Sequence, residues 1–394
     1  MKEELKVYLY QLWPILLLVI GLPLLSYGIW SLMSGKQLEV LVIDKTVRDD
    51  TYQEHAALFW TLNHLKYKKA DGQYYSLSED YLGFFPSGQK NFGVSKDLTG
   101  KTDEQIRALA SRSDLIYIAD TYGVYESDFD VNARDARSRK IYGGLDHLDI
   151  KLISMAKEEG KVVVAEFNSL ASPTSSLIRS EFENLMGIRW TGWIGRYFDE
   201  LDTLTNGDIP AWMVLQYKRQ HTTWDLRGPG LIFIKETGEI EAFRHKVDYD
   251  NKVPLIRTQK LNKEGFHLPD VIPYPDWFDV MMIDRDYEVI SYYDIEPTAE
   301  GVQRLRKLGL PRFFPATVVR NLEKGRQYYL AGDFSDMRGD FGAVQFYGLP
   351  LLRRGIYLAS DYTNRQSFFW NYYYPLITQI LEKVDEARNK PGSK

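Results

Sequence analysis

The amino-acid sequence predicts an α/β protein: a doubly wound, mostly parallel sheet with a β-rich insertion, behind an N-terminal transmembrane helix. Three observations carry that reading. A run of 21 uncharged residues, Trp13 to Met33, stands near the start of the chain. Strand-like apolar runs then alternate with helical patterns as far as about residue 187, which is the signature of a parallel sheet covered by helices. After residue 205 short strands and prolines replace that alternation, and it returns near residue 298.

At about 1.5 Å per residue, the first run is long enough to cross a hydrocarbon core of roughly 30 Å. Pro14 falls where a missing N–H costs little, and Pro23 is expected to kink the helix. Tyr8, Tyr10 and Trp13 at one end, and Tyr27 and Trp30 at the other, match interfacial aromatic belts. A cleaved signal peptide would need small residues near a cleavage site, whereas SYGIWSLMSG carries bulky ones. Lys2 and Lys6 before the span nearly balance Lys36, Lys45 and Arg48 after it. The short N-terminal tail is expected to stay in the cytoplasm, which places the C-terminal part outside the cell membrane.

The expected divisions are an anchor over 1–36, an α/β part over 37–204, a β-rich insertion over 205–297, an α/β return over 298–387, and a frayed tail over 388–394. Leu38–Ile43, Tyr81–Phe85, Asp114–Ala119 and Lys161–Ala165 read as buried strands. Thr51-x-x-Glu54 and Thr102-x-x-Gln105 read as capping boxes, and Ser172-Pro173 as a helix start. Gly160 closes a helix marked by Leu145, Leu148, Leu152 and Met155, and Gly187 stops the helix that Ser172-Pro173 opens. In the insertion, Met213–Tyr217, Leu231–Lys235 and Glu239–Arg244 read as strands, the last two forming a hairpin around Glu236-Thr237-Gly238. Asp279–Asp284 and Glu288–Tyr293 read as a further pair. Thr298–Leu308 is helical, Gln327–Ala331 is a strand, and Phe368–Ala387 is a C-terminal helix.

The chain has 394 residues, with 49 basic against 54 acidic ones and a net charge of −5. That balance, without a long basic stretch, argues against nucleic-acid binding. Cysteine is absent, which excludes disulfides, thiolate metal sites and a cysteine nucleophile. No H-E-x-x-H, G-x-S-x-G or phosphate-binding loop motif is present, and the turn Asp44-Lys45-Thr46-Val47 lacks the glycines of a dinucleotide site. No cofactor or metal is therefore expected.

Ligands of an open parallel sheet bind beyond the carboxyl ends of its strands. Those ends carry Asp44, Asp120, Glu166 and Asp333, with Asn168 close behind Glu166, and these five are the candidate ligand-binding residues. Asp120 and Glu166 are the candidate acid–base pair, since carboxylates serve that chemistry. The same residue types also cap helices and shape turns. His55 reads as a packed helix-face histidine. Aromatic residues reach 14%, which suits either a dense core or stacking on sugar rings.

This order of elements resembles the class I glutamine amidotransferase-like group of flavodoxin-like folds. In that family a cysteine nucleophile sits on a sharp turn after a central strand. The matching stretch here is KVVVAEFNSLASPT, which has no cysteine, and no His-x-Glu pair follows downstream. The resemblance therefore implies a non-catalytic relative, a pseudoenzyme of the kind found tethered in cell envelopes. GIRWTGWIGRYFDEL and YYLAGDFSD read as surface or turn elements of such a protein. The expected role is binding or scaffolding, with an envelope protein or a glycan as partner and a link to polysaccharide export. The alternative is a carboxylate-dependent glycoside hydrolase or lyase.

Overall fold

The structure, a computed structural model, describes residues 10, 12–87, 93–129, 138–337 and 341–389. Lys2, Lys6, Tyr8 and most of the expected tail lie outside these residues. Among the described residues one helix, Leu12–Leu32, is long and apolar enough to cross a membrane. It contains a wider turn at Leu17–Gly21, where the Leu22 N–H reaches back to the Leu17 carbonyl, and continues as α1, Leu22–Leu32. That wider turn stands just ahead of Pro23, whose ring and missing N–H disturb the regular ladder.

The strands of the two larger sheets, in chain order, are β1 Val40–Asp44, β2 Tyr81–Pro86, β3 Gly93–Lys96, β4 Leu115–Asp120, β5 Val162–Glu166, β6 Ile188–Phe198, β7 Gly230–Lys235 and β8 Ile240–Arg244. They continue as β9 Leu255–Thr258, β10 Val271–Pro273, β11 Phe278–Ile283, β12 Tyr287–Asp294, β13 Phe314–Asn321 and β14 Arg326–Leu330. The remaining helices of eight residues or more are α2 Gln53–His64, α3 Asp103–Arg112, α4 His147–Glu158, α5 Ser176–Met186, α6 Ala211–His221, α7 Ala299–Lys307, α8 Leu349–Ile356 and α9 Tyr374–Arg388.

A mixed ten-stranded sheet runs β10-β9-β12-β13-β14-β5-β4-β1-β2-β3. Its central strands β14, β5, β4, β1 and β2 are mutually parallel. Antiparallel strands extend both edges. Taken in chain order, the five parallel strands lie 2-1-3-4-5. Helices α2 and α9 pack together, while α3, α4 and α5 pack in series. The central strands are apolar on both faces because both are covered: Ile116, Tyr117, Ile118, Val163, Val164 and Ala165 are all inaccessible to solvent.

A second, antiparallel sheet runs β8-β7-β6-β11. Alternation along β7 divides its side chains between two cores. Leu231 and Phe233 face the main core, while Ile232 and Ile234 join a smaller one with Met213 and Tyr217 of α6.

Several expectations need correction. The Thr51 hydroxyl bonds to Asp49, and α2 starts instead from Tyr52 in a left-handed conformation. The N-cap of α5 is Ser175, not Ser172. Met213–Tyr217 is the middle of helix α6, where Met213 and Tyr217, four apart, are the buried pair. The strands around 279–284 and 288–293 do not pair with each other, since β11 joins β6 and β12 joins β9 and β13. Most of the segment read as a turn element, GIRWTGWIGRYFDEL, is strand β6, bulged between Trp190 and Trp193. The C-terminal helix is built in three pieces, with a wide turn at Phe369–Tyr373 before α9.

Candidate functional site

The carboxyl ends of β1 and β4 are neighbours in the sheet although β2 and β3 intervene in sequence, so Asp44 and Asp120 meet at the point where strand order reverses. Both are buried. Asp44 Oδ2 lies 2.5 Å from His55 Nδ1, and Asp44 Oδ1 accepts from the Thr46 N–H at 2.9 Å. His55 Nε2 faces the Leu77 carbonyl at 2.9 Å. A carbonyl only accepts, so Nε2 carries a proton and the Asp44–His55 contact holds a further one. His55 is thus the packed histidine its helical position implied, with its ring also against Tyr81 and Phe59.

Thr46 bridges the two strand ends. Its hydroxyl donates to Asp120 Oδ1 at 2.5 Å and accepts from the Gly123 N–H at 2.9 Å. Asp120 also accepts from the Tyr122 N–H and, at 2.9 Å, from Asn168 Nδ2. Asn168 therefore meets Asp120 by direct contact. Burial pushes the Asp120 carboxyl up to about 7 against those donors.

Glu166, at the end of β5, is fully buried and has four donors. Tyr117 OH donates to Oε1; the Phe334 N–H, the Ser335 N–H and the Ser335 hydroxyl donate to Oε2 at 3.1, 2.9 and 2.9 Å. Desolvation outweighs them and raises this carboxyl to about 8. Its contacts clamp the turn after β14 onto the sheet. That turn carries Asp333, which is half-buried and whose carboxyl is raised well above its usual range by burial and by Asp336.

Asp333, Asp336 and Glu54 form a tight trio, with one oxygen from each within 4.8 Å of the others. Burial and the charges of Asp336, Asp333, Asp120 and Asp44 push Glu54 well up. Three carboxylates at that spacing suit a hard cation or an ammonium group. Two arginines flank them: Arg48 Nη2 stands 3.4 Å from Glu54, and Arg365 pairs with Asp276 and donates from Nε to the Asp336 carbonyl at 2.7 Å. Sequence reasoning missed Glu54, Asp336, Arg48 and Arg365. The signals were only local: Glu54 is ten positions beyond Asp44, and Asp336 three beyond Asp333.

Next to Asp120, a cleft of about 930 Å³ opens between the Tyr122–Asp128 segment and the start of α6. Its walls include Tyr122, Tyr125 and Trp212, with Asp128, Ser138 and Asn206 among its polar groups. Tyr122 and Trp212 are 46% and 37% exposed, and the Tyr122 and Tyr125 rings lie 5.0 Å apart.

The chain matches no protein-family model and no curated protein sequence. Among solved structures it is similar to a ThuA-like protein from Bacteroides uniformis, at 10% identity and a TM-score of 0.37, over 85% of this chain and 97% of that one. It is also similar to a cytoplasmic protein from Salmonella typhimurium, at 11% identity and a TM-score of 0.35, over 89% and 99% of the two chains. At such scores neither neighbour lends this chain an activity.

Proposed function

We propose that this chain is a membrane-anchored, non-catalytic recognition protein of the cell envelope that binds a glycan beside the strand-order switch point of a flavodoxin-like, amidotransferase-like sheet. The 2-1-3-4-5 order of the parallel strands supports the doubly wound reading, and ligands of such sheets gather where the order reverses. One observation carries the rest: the strand-end carboxylates of Asp44, Asp120 and Glu166 are spent on holding loops, while the adjoining cleft presents uncovered aromatic faces and polar groups. Asp120 and Glu166 are buried behind their own donors. Tyr122 and Trp212 face the open cleft, where flat rings stack on sugar faces and Asp128, Ser138 and Asn206 match hydroxyls. The apolar helix ties this site to a membrane, with the domain on the extracytoplasmic side.

The alternative, a carboxylate-dependent glycoside hydrolase or lyase, is favoured by one feature. Burial raises the carboxyls of Asp120 and Glu166, to about 7 and about 8, the direction a general acid requires. A single experiment separates the two. Full-length protein in nanodiscs is titrated with fractionated envelope polysaccharides while reducing ends are assayed. Recognition gives saturable binding that Trp212→Ala and Tyr122→Ala weaken, with no new ends. Release of ends that stops in Asp120→Asn establishes the enzyme instead.

A further inference from the structure

Helix α8 is short and strongly two-sided. Its inner side rests on the domain: Pro350 is buried, Leu349 packs on the main core, and Arg354 Nε donates to the Trp370 carbonyl at 2.9 Å. Its outer side is apolar and bare. Leu351, Leu352 and Ile356 are 76%, 61% and 59% exposed, and Leu358 and Tyr347 just outside the helix are 62% and 55% exposed. Isolated apolar residues on a surface need no explanation, but five together on one short segment form a patch that does.

The position of that patch identifies what covers it. The segment leading into α8 touches the apolar N-terminal helix within its span. The Tyr347 carbonyl accepts from the Ser26 hydroxyl at 2.8 Å, the Tyr347 N–H donates to the Ser26 carbonyl at 3.3 Å, and the Tyr27 and Phe346 rings are in contact. Ser26 lies six positions before the helix end at Leu32, about 9 Å along the axis at 1.5 Å per residue. A bilayer that encloses the span therefore reaches the level of Tyr347. Amphipathic helices in an interface plane sit roughly 5–10 Å into the headgroup and acyl boundary. Arg353 and Arg354, in the last turn of α8, are half-buried.

We infer that α8 is an interfacial membrane helix: its Leu351, Leu352 and Ile356 face enters the same leaflet that receives the C-terminal end of the N-terminal span. This inference rests on the membrane-anchored reading and adds a second, non-spanning attachment. Together the two attachments fix the tilt of the domain, because a span alone leaves it free to pivot on the membrane.

Because the chain has no cysteine, single-cysteine reporters need no background removal. Full-length Ile20→Cys, Leu352→Cys and Leu204→Cys proteins are labelled with an environment-sensitive fluorophore and reconstituted in phosphatidylcholine–phosphatidylglycerol vesicles. All three positions are exposed, so the substitutions spare the core. The expected result is that mid-chain brominated lipid quenches the Ile20 label and lipid brominated near the headgroup quenches the Leu352 label. The Leu204 label answers only to aqueous iodide. A Leu352 label that iodide reaches as readily as the Leu204 label overturns the inference and leaves the anchor standing. So does a Leu352 label shielded from both quenchers that cross-links to a second copy. An Ile20 label that brominated lipid fails to quench overturns the anchor itself, and the inference with it.

Discussion

The Lys66 ammonium group lies 3.0 Å from the Trp30 carbonyl and 4.5 Å from the centroid of the Trp30 ring. It also reaches the carbonyls of Ser31 and Met33, at 3.2 and 2.5 Å. These are the acceptors that a helix end leaves unmet, and a cation is the favoured partner there. Trp30 is itself buried and donates from its indole N–H to the His64 carbonyl at 2.9 Å. The apolar helix is thus joined to the domain through a capped seat at its C-terminal end.

Lys66→Met keeps the apolar stem and removes the cap. Hydrogen bonds to a charged group contribute about 1.5–3 kcal/mol, so the expected loss is of that order in thermal unfolding of the full chain in detergent. Trypsin is expected to cut faster at Lys36, just past the joint. If neither stability nor cleavage changes, the seat described here does not hold the helix.

The Asp44–His55 pair has both side chains closed to solvent. Removing one member of a buried hydrogen-bonded pair costs about 1–3 kcal/mol, since the other is left without its partner. Asp44→Asn is expected to lower the urea midpoint accordingly, and the His55→Gln, Asp44→Asn double variant to lose less than the sum of the single variants. A cost for Asp44→Asn within the range of surface substitutions would show that the pair does not brace the β1 end.

Much of the central sheet is legible in the sequence because parallel strands are buried on both faces and read as unbroken apolar runs closed by an acid. Helix starts are less legible, since a capping pattern states only an option. Thr102 and Gln105 do form both bonds of a capping box, whereas Thr51 is diverted to Asp49. The Met213–Tyr217 stretch of helix α6 reads as a strand because Val214 and Tyr217 are strand-favouring residue types in a short, largely apolar run. What decides it is burial at a spacing of four against the outer face of β7. Asp44 and Asp120 are legible as strand ends. Glu54 and Asp336 join them only through the start of α2 and the turn after β14, which no sequence period encodes. The exposure of α8 depends on where the N-terminal helix runs, so its pattern alone does not separate a core helix from an interfacial one.

Glu54 is the most crowded member of the acidic trio, buried beside Asp336 and Asp333. Ionising it there works against both desolvation and repulsion, so Glu54→Gln is expected to stabilise the protein in EDTA at pH 8, by about 1–2 kcal/mol. The gain shrinks as pH falls, because protonation of the native carboxyl relieves the same crowding. A variant less stable than the parent at pH 8 would show that Arg48 and Gln53 more than compensate for the crowding.

The buried carboxyls also fix the sign of the pH dependence. Burial raises Asp120 and Asp279 to about 7 and Glu166 to about 8, whereas in the unfolded chain such groups titrate near 4. Between those values the folded state binds more protons than the unfolded one, so stability contributed by these groups is full below about pH 4 and falls as pH rises through 7 to 8. Asp146, which Lys45 holds below its usual range, acts in the opposite direction but only under more acidic conditions. Asp279 lies outside the trio and the cleft, with Oδ2 accepting from Tyr329 OH at 2.5 Å and Oδ1 without a partner. Asp279→Asn keeps an acceptor for Tyr329 and removes the titration. Melting temperature is therefore expected to fall from pH 5.5 to 8.5 in the parent and to fall less in Asp279→Asn, with the gap between the two curves widening up to about pH 7 and staying constant above it. Parallel curves would mean that Asp279 is ionised in the folded state across the whole range. A parent curve rising with pH would mean that the raised carboxyls are outweighed, for instance by His64, whose pKa burial lowers and which therefore acts in the opposite direction.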